Sequence, residues 1–261
     1  MTAAAPAARA ARSARVGQRT AAERTAERSL AFADFHVHTR YSPDSLLTED
    51  RLIQLALDRG LTHVAVTNHN NVEGAIAVRD RAAELEVDDR LHVILGEEVS
   101  SADGEIVGIF VNETIPRGLS AAETADAIHA QGGLVSIPHP FDPFRRSHIR
   151  EEALVGLAEA GQVDAIEVFN SRVTFARHNE QAADLAARYG IPAIACSDTH
   201  TGMEVAMAFN ALPAFSNAEE LRAALRDSEW HGTRSTKLIH VATRWAVWSK
   251  AARRRLHRSD G

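Results

Sequence analysis

Phe32-Ala33-Asp34-Phe35-His36-Val37-His38-Thr39 is the first place where an extended apolar run in this chain meets a pair of metal-competent side chains. Successive side chains of a strand alternate between faces, so His36 and His38 point the same way, and two imidazoles on one face can grip one cation. Alone the pair is a weak signal, because His-x-His recurs by chance and both rings could be satisfied polar residues at a strand end. Similar short apolar runs follow at Leu61–Thr67, Leu91–Leu95, Ile106–Val111, Leu134–Pro138, Ala165–Phe169 and Pro192–Cys196, which makes seven predicted strands. Helical periodicity fills the intervals at Glu49–Arg59, Val72–Leu85, Ala121–Gln131, Glu151–Ala160 and Thr174–Tyr189, with a further helix at Ala218–Arg226. Ser120 with Glu123 forms a capping-box pattern, and Gly60, Gly132 and Gly190 stand where helices stop. Repeated strand–helix units imply an α/β protein with a mostly parallel sheet, either a barrel or an open doubly wound sheet, and the pattern alone does not separate these.

The remaining candidates fall just past predicted strand ends. His69 follows the second strand, Glu98 the third, His139 the fifth, and Asp198 and His200 the seventh, while Asp44 lies in the first loop. In α/β folds this rim is where loops converge on rigid strand ends to build sites. Five imidazoles and three carboxylates exceed what one catalytic ion takes from a protein, so two to three divalent ions are expected, bridged by a carboxylate such as Glu98. Mixed nitrogen and oxygen donors suit zinc, manganese or iron.

The 261 residues, 45% of them hydrophobic, suffice for one sizeable core. Residues 1–30 carry six arginines against Glu23 and Glu27 and read as a disordered basic arm. Residues 234–261 hold eight basic residues against Asp260, which leaves the central 31–233, the expected catalytic barrel, at a net charge of −17. Such a body repels nucleic-acid backbones unless bound cations reverse the local field, and no stable duplex binding is expected. The single cysteine, Cys196, excludes an internal disulfide and a cysteine-based zinc site, and fits a reducing cytoplasm. No apolar run approaches the ~20 residues of a membrane span, and the start lacks a secretory leader's apolar stretch, so a cytoplasmic protein is expected. From Lys237 to Arg258, Leu238, Val241, Trp245 and Trp248 form one stripe of an amphipathic helix. Packing of that stripe across the barrel is favoured over contact with a membrane surface.

Four stretches together resemble the PHP (polymerase and histidinol phosphatase) phosphoesterases: Asp34-Phe35-His36-Val37-His38-Thr39-Arg40-Tyr41-Ser42-Pro43-Asp44, then Thr67-Asn68-His69-Asn70, then His139-Pro140, then Ser197-Asp198-Thr199-His200. The resemblance covers about residues 32–210. It implies a distorted seven-stranded, TIM-like (β/α) barrel and hydrolysis of a phosphate ester by a metal-bound hydroxide. It further implies one ion on His36, His38, Glu98 and Asp198, a second on Asp44, His69 and His200, and a third sharing Glu98 with His139. Two departures stand out. Asn68 and Asn70 replace the usual aspartates, and Val107 stands where many members have a further histidine, so the third position is expected to bind weakly.

A phosphorylated small molecule or nucleotide is the expected substrate, and the resemblance to short members of the family brings 3′,5′-bisphosphates and short oligoribonucleotides within range. Arg117, Arg145 and Arg172 lie in loops able to reach the rim, where guanidinium forks suit phosphate oxygens; Arg146 is the weakest such candidate. Glu167 and Asn170, at the end of the sixth strand, are read either as orienting ligands or as structural residues. Cys196, His63 and His92 read as core residues. Two other functions compete. An amidohydrolase also starts with His-x-His, but its frequent bridging lysine has no counterpart, since Lys237 and Lys250 both lie beyond the barrel. A degenerate module with a regulatory or scaffolding role is prompted by Asn68, Asn70 and Val107.

Overall fold

A computed structural model describes residues 30–145, 147–236, 243 and 245–250. In chain order the elements are β1 (Leu30–Val37), α1 (Glu49–Asp58), β2 (His63–Val66), α2 (Glu73–Glu84), β3 (His92–Ser101), β4 (Gly104–Ile109), α3 (Ala121–Ala130) and β5 (Leu134–Ile137). There follow α4 (Glu151–Glu159), β6 (Ala165–Asn170), α5 (Ala176–Tyr189), β7 (Ala193–Cys196), β8 (Ala208–Pro213), α6 (Ala218–Ala224) with a short 3-10 turn, and β9 (Glu229–Gly232). Local chemistry sets several boundaries. The Thr48 hydroxyl caps α1, the Ser120/Glu123 capping box starts α3, and Gly190, at φ 65°, closes α5 in the left-handed region.

The strands order as β7-β6-β5-β4-β3-β2-β1-β8-β9 in a mixed sheet that curls into a nearly closed barrel. Nine strands occur among the described residues rather than the seven expected. β8 escaped notice because Asn210 and Pro213 interrupt its apolar run, and β9, Glu-Trp-His-Gly, is short and mostly exposed. β4 runs antiparallel to both β3 and β5, because β3 continues to Ser101 and turns back through the two-residue Ala102–Asp103 loop. Gly104 is needed there: its φ is 132°, and a Cβ would meet the Ile149 backbone at 2.3 Å.

The seam between β1 and β7 is sewn by side chains and one bridge. Buried Asn210 of β8 accepts from Ala195 N (2.9 Å) and donates to Ala33 O (3.1 Å) and Ala195 O (2.8 Å). Asp34 Oδ1 accepts from Ser197 N (3.1 Å), and His38 N donates to Thr199 O (2.8 Å) beside a parallel bridge between Val37 and Thr199.

Ala33, Ala65, Ile94, Val107, Leu134, Ala165 and Ile194, one from each of β1 to β7, belong to the apolar cluster that forms the barrel floor. Outside, Leu52, Val64, Val78 and Leu91 join α1 and α2 to β2 and the start of β3, while Ile128, Ile137, Leu154, Ile166 and Leu185 join α3 to α5 to β5 and β6. Removing one such leucine to alanine costs ~2–5 kcal/mol. This frame is what holds the loops above the floor in place. Leu30, read as the end of the arm, already pairs with Pro213 in the sheet. The rest of the basic arm lies outside the described residues, as do Leu238 and Val241 of the C-terminal stripe. In the described helical turns 243 and 245–250, Ala246 is buried while Trp245 and Trp248 are 60% and 62% exposed, so the tryptophans do not form the packed face. No helix among the described residues is long and apolar enough to cross a membrane.

Candidate metal centre

Above the floor, the rim gathers all eight candidate ligands. A bulge in β1 between Asp34 and Val37 breaks simple alternation, yet His36 and His38 converge, with their Nε2 atoms 2.9 Å apart. His36 and His38 lie 3.5 Å and 3.3 Å from Glu98 Oε2, and 3.8 Å and 3.7 Å from Asp198 Oδ1. Asp44 Oδ2 stands 2.9 Å from His200 Nε2 and 3.4 Å from His69 Nε2, while His69 Nδ1 reaches Glu98 Oε2 at 3.0 Å. Three groups could hold an ion: His38, Asp44, His69 and His200; His36, His38 and Glu98; and His69, Glu98 and Glu105. Glu98 is not beyond its strand, as expected, but within β3. His139 and Asp198 take positive φ, 31° and 55°, strained backbone of the sort that collects at functional sites.

Hydrogen bonds behind the rings fix which nitrogen faces the centre. His36 Nδ1 donates to Glu167 Oε1 (2.7 Å), so its Nε2 carries the lone pair inward. The Ser42 hydroxyl donates to Asn68 Oδ1 (2.9 Å), which leaves it an acceptor for His38 Nδ1 (3.0 Å) and for His69 N (3.1 Å). His200 Nδ1 donates to Asp198 O (2.9 Å). Each assignment leaves Nε2 as the free donor atom. Two such lone pairs 2.9 Å apart in His36 and His38 require a cation or a proton between them. The buried atoms Asp44 Oδ1, Glu98 Oε2 and Asp198 Oδ1 also lack any hydrogen-bond partner, a cost of ~1–3 kcal/mol each that a bound cation would relieve. The residues therefore fit divalent ions.

Titration follows the same charges. Burial opposes ionisation of Asp198, but Arg145, His36, His200 and Arg172 outweigh it and hold the carboxyl well below the usual range. Burial likewise opposes a charged Glu98, and His36 and His69 reverse it. Burial pushes the Cys196 thiol well up, which leaves it inert as read. His63 is a satisfied core residue, its Nε2 bonded to Phe215 O (3.1 Å) and its ring 4.7 Å from that of His92 at the barrel's other end.

Both asparagine departures serve the scaffold. Asn68 Oδ1 accepts from Thr39 N (2.9 Å), Thr39 Oγ1 (3.1 Å) and Ser42 Oγ (2.9 Å). Asn70, at φ 54°, pairs its amide with Ser100 N (2.9 Å) and Ser100 Oγ (3.0 Å). Glu167 also accepts from His139 N (3.1 Å) and from Asn170 Nδ2 (2.8 Å), and so joins two candidate ligands, His36 and His139.

A cleft of about 390 Å³ opens on the centre, lined by Asp44, Asp142, Phe144, Arg145, Arg172, Thr174, His200 and Thr243. Arg145 meets Asp198 Oδ2 in a close contact. Arg172 is buried and tied to Glu204 Oε1 (3.4 Å), Asp198 O (3.5 Å) and Thr243 Oγ1 (2.6 Å). Arg117 is exposed after β4 and is not among the lining side chains, and Arg146 lies outside the described residues. Lys250 caps Arg40 O (2.7 Å) and Ser42 O from outside the barrel, so it is no bridging ligand.

The residue that sequence reasoning missed is Glu105. It points inward from β4, with Oε1 3.7 Å from His69 Nδ1 and Oε2 3.8 Å from His139 Nε2, and it accepts from Ser147 Oγ (2.7 Å). Only strand register could have revealed it: Val107 pairs directly with Glu98, and Glu105, two residues earlier on the same face, sits nearer the rim.

The family model described as PHP domain matches residues 34–166, and one described as PHP-associated matches 176–229. An uncharacterized protein of Methanocaldococcus jannaschii is 36% identical over 149 residues, 53% of this chain and 81% of that protein. The error-prone DNA polymerase of Mycobacterium tuberculosis is 27% identical over 211 residues, 66% of this chain, which spans only 19% of the polymerase. A solved two-domain protein of Bacteroides vulgatus, described as containing a predicted PHP-like metal-dependent phosphoesterase, shares the fold at a TM-score of 0.64 and 19% identity, over 78% of this chain and 65% of that one.

Proposed function

The chain belongs to the PHP domain family, and from that premise we propose that it is a metal-dependent hydrolase of phosphate esters, acting on a phosphorylated small molecule or nucleotide. The observation that carries this reading is the set of inward-facing Nε2 lone pairs and partnerless carboxylate oxygens at the foot of a cleft that also presents Arg145. His36, His38, Glu98 and Asp198 would hold one divalent ion, and Asp44, His69 and His200 another. Zinc, manganese or iron bound there supplies Lewis acidity, lowering the pKa of water and drawing charge from phosphoryl oxygens.

The chain's own residues do the rest. Arg145, part-buried with one terminal nitrogen on Asp198, lines the cleft and offers its remaining N–H donors to a phosphoryl oxygen. Arg172, engaged by Glu204 and Thr243, holds the Asp198 loop in place while its outer edge lines the cleft. Glu167 keeps His36 in the tautomer that can bind, and Ser42 does the same for His38. The cleft's walls shed bulk water around the ester, and no side-chain nucleophile is required. Lysine-bridged amidase chemistry finds no support, because the one described lysine, Lys250, faces the outside of the first loop.

A substrate panel tests this. Chelated protein resupplied with manganese, zinc or ferrous ion is expected to cleave phosphomonoesters, with nucleotides and 3′,5′-bisphosphates included, and to leave amides and lactones untouched. Amide or lactone turnover without phosphoester turnover would contradict the reading.

A further inference from the structure

Three side chains at the rim, Glu98, His139 and Glu105, converge beside the two ion positions already argued. Glu98 Oε1 lies 3.3 Å from His139 Nε2, and Glu105 Oε2 lies 3.8 Å from the same nitrogen. All three are buried, Glu98 and His139 almost completely. Both carboxylates thus approach one imidazole nitrogen, and buried like charges gathered in this way are relieved by a cation among them. The neighbouring guanidinium of Arg145 feels both Glu98 and Glu105, as well as Asp198.

β4 supplies Glu105 by register. Glu98 and Val107 are opposite one another, so their side chains share the inner face, and Glu105 follows on that face toward the rim while Val107 joins the apolar floor. Val107 itself supplies no ligand, and Glu105 is the residue of this strand that reaches the rim. Ser147 anchors the carboxylate through its hydroxyl at 2.7 Å and its backbone oxygen at 2.7 Å from Glu105 N, which fixes the side chain in the position seen.

We propose that Glu105 completes a third cation position with Glu98 and His139, and that its donor set of two carboxylates and one imidazole takes a hard divalent ion such as Mn²⁺ in preference to Zn²⁺. This rests on the metal-dependent reading of the same centre. Oxygen donors favour manganese and magnesium, whereas imidazole-rich sets favour zinc, so the third position differs in selectivity from its histidine-rich neighbours.

The test counts ions, not turnover. Full-length wild type, Glu105→Gln and Glu105→His are stripped, reloaded with Mn²⁺ at one fixed free concentration, and analysed for manganese per chain. Wild type should hold three ions and Glu105→Gln two. Gln still accepts from Ser147, so the metal-free melting temperature should not fall. Glu105→His should recover the third ion and shift it toward zinc in a Mn²⁺/Zn²⁺ competition. Three ions in Glu105→Gln at wild-type affinity, or only two in wild type, would overturn the proposal while leaving the two-ion centre standing. Wild type holding no ion would overturn both.

Discussion

Glu167→Gln replaces one carboxylate oxygen by NH2 and keeps the shape, which makes it a sharp probe of how the centre is organised. In the native site Oε1 accepts from His36 Nδ1 at 2.7 Å, while Oε2 accepts from His139 N at 3.1 Å and Asn170 Nδ2 at 2.8 Å. A glutamine has one acceptor and one donor end, so one orientation sets its NH2 against the His36 N–H and the other sets it against two donors. Either leaves a buried donor facing a donor, at a cost of ~1–3 kcal/mol. Relief comes most simply if His36 moves its proton to Nε2, and that nitrogen then cannot bind an ion. Loss of such supporting contacts lowers metal affinity ~10–100-fold, which is ~1.4–2.7 kcal/mol. The assay is competition of apo protein with a chromophoric chelator, alongside melting of both apo proteins. Wild-type metal affinity in a destabilised Glu167→Gln would refute the reasoning, since it would make Glu167 a fold residue only.

Asn210→Ala removes three hydrogen bonds across the seam, and should destabilise the protein by ~3 kcal/mol or more, seen as a fall in melting temperature of ~6–12 °C. Asp198→Ala should retain a similar apo melting temperature while losing an ion and nearly all turnover; a much lower apo melting temperature with turnover kept would make Asp198 structural. Burial, then the neighbouring His92, lowers the pKa of His63 to about 4, so the unfolded chain binds the extra proton first and stability falls as pH drops from ~6.5 toward 4. Between pH 7 and 5 that difference is ~2 kcal/mol, and His63→Phe should melt with a correspondingly flatter pH profile than wild type. Deleting residues 1–29, ahead of β1, should leave turnover within about twofold.

The sequence carried the centre better than the frame around it. The convergence of His36, His38, His69, His139, Asp198 and His200 was legible because strand ends meet rim loops in α/β folds, and that of Asp44 because it lies in the first such loop. Glu105 was not, since which β4 residue faces Glu98 depends on an antiparallel register that no periodicity encodes. β8 was hidden for a related reason: Asn210 belongs in an apolar strand only because its amide substitutes for missing backbone pairing between β1 and β7. Among the guanidines, Arg145 reached the cleft from its loop while Arg117 stayed outside, a choice made by tertiary packing. Helical periodicity reports an apolar face but not whether a partner covers it; among the described residues of the C-terminal stripe Trp245 and Trp248 are exposed while the neighbouring Ala246 is buried.

The account stands on divalent ions held by this rim and required for its chemistry. The most direct measurement is a titration of chelated, metal-free protein with Mn²⁺, reading bound metal by elemental analysis and phosphoester hydrolysis in the same samples. Hydrolysis should be absent at zero metal and should rise to a plateau only as occupancy passes two ions per chain. Full hydrolysis by the metal-free protein, or binding that saturates below one ion per chain, would contradict it.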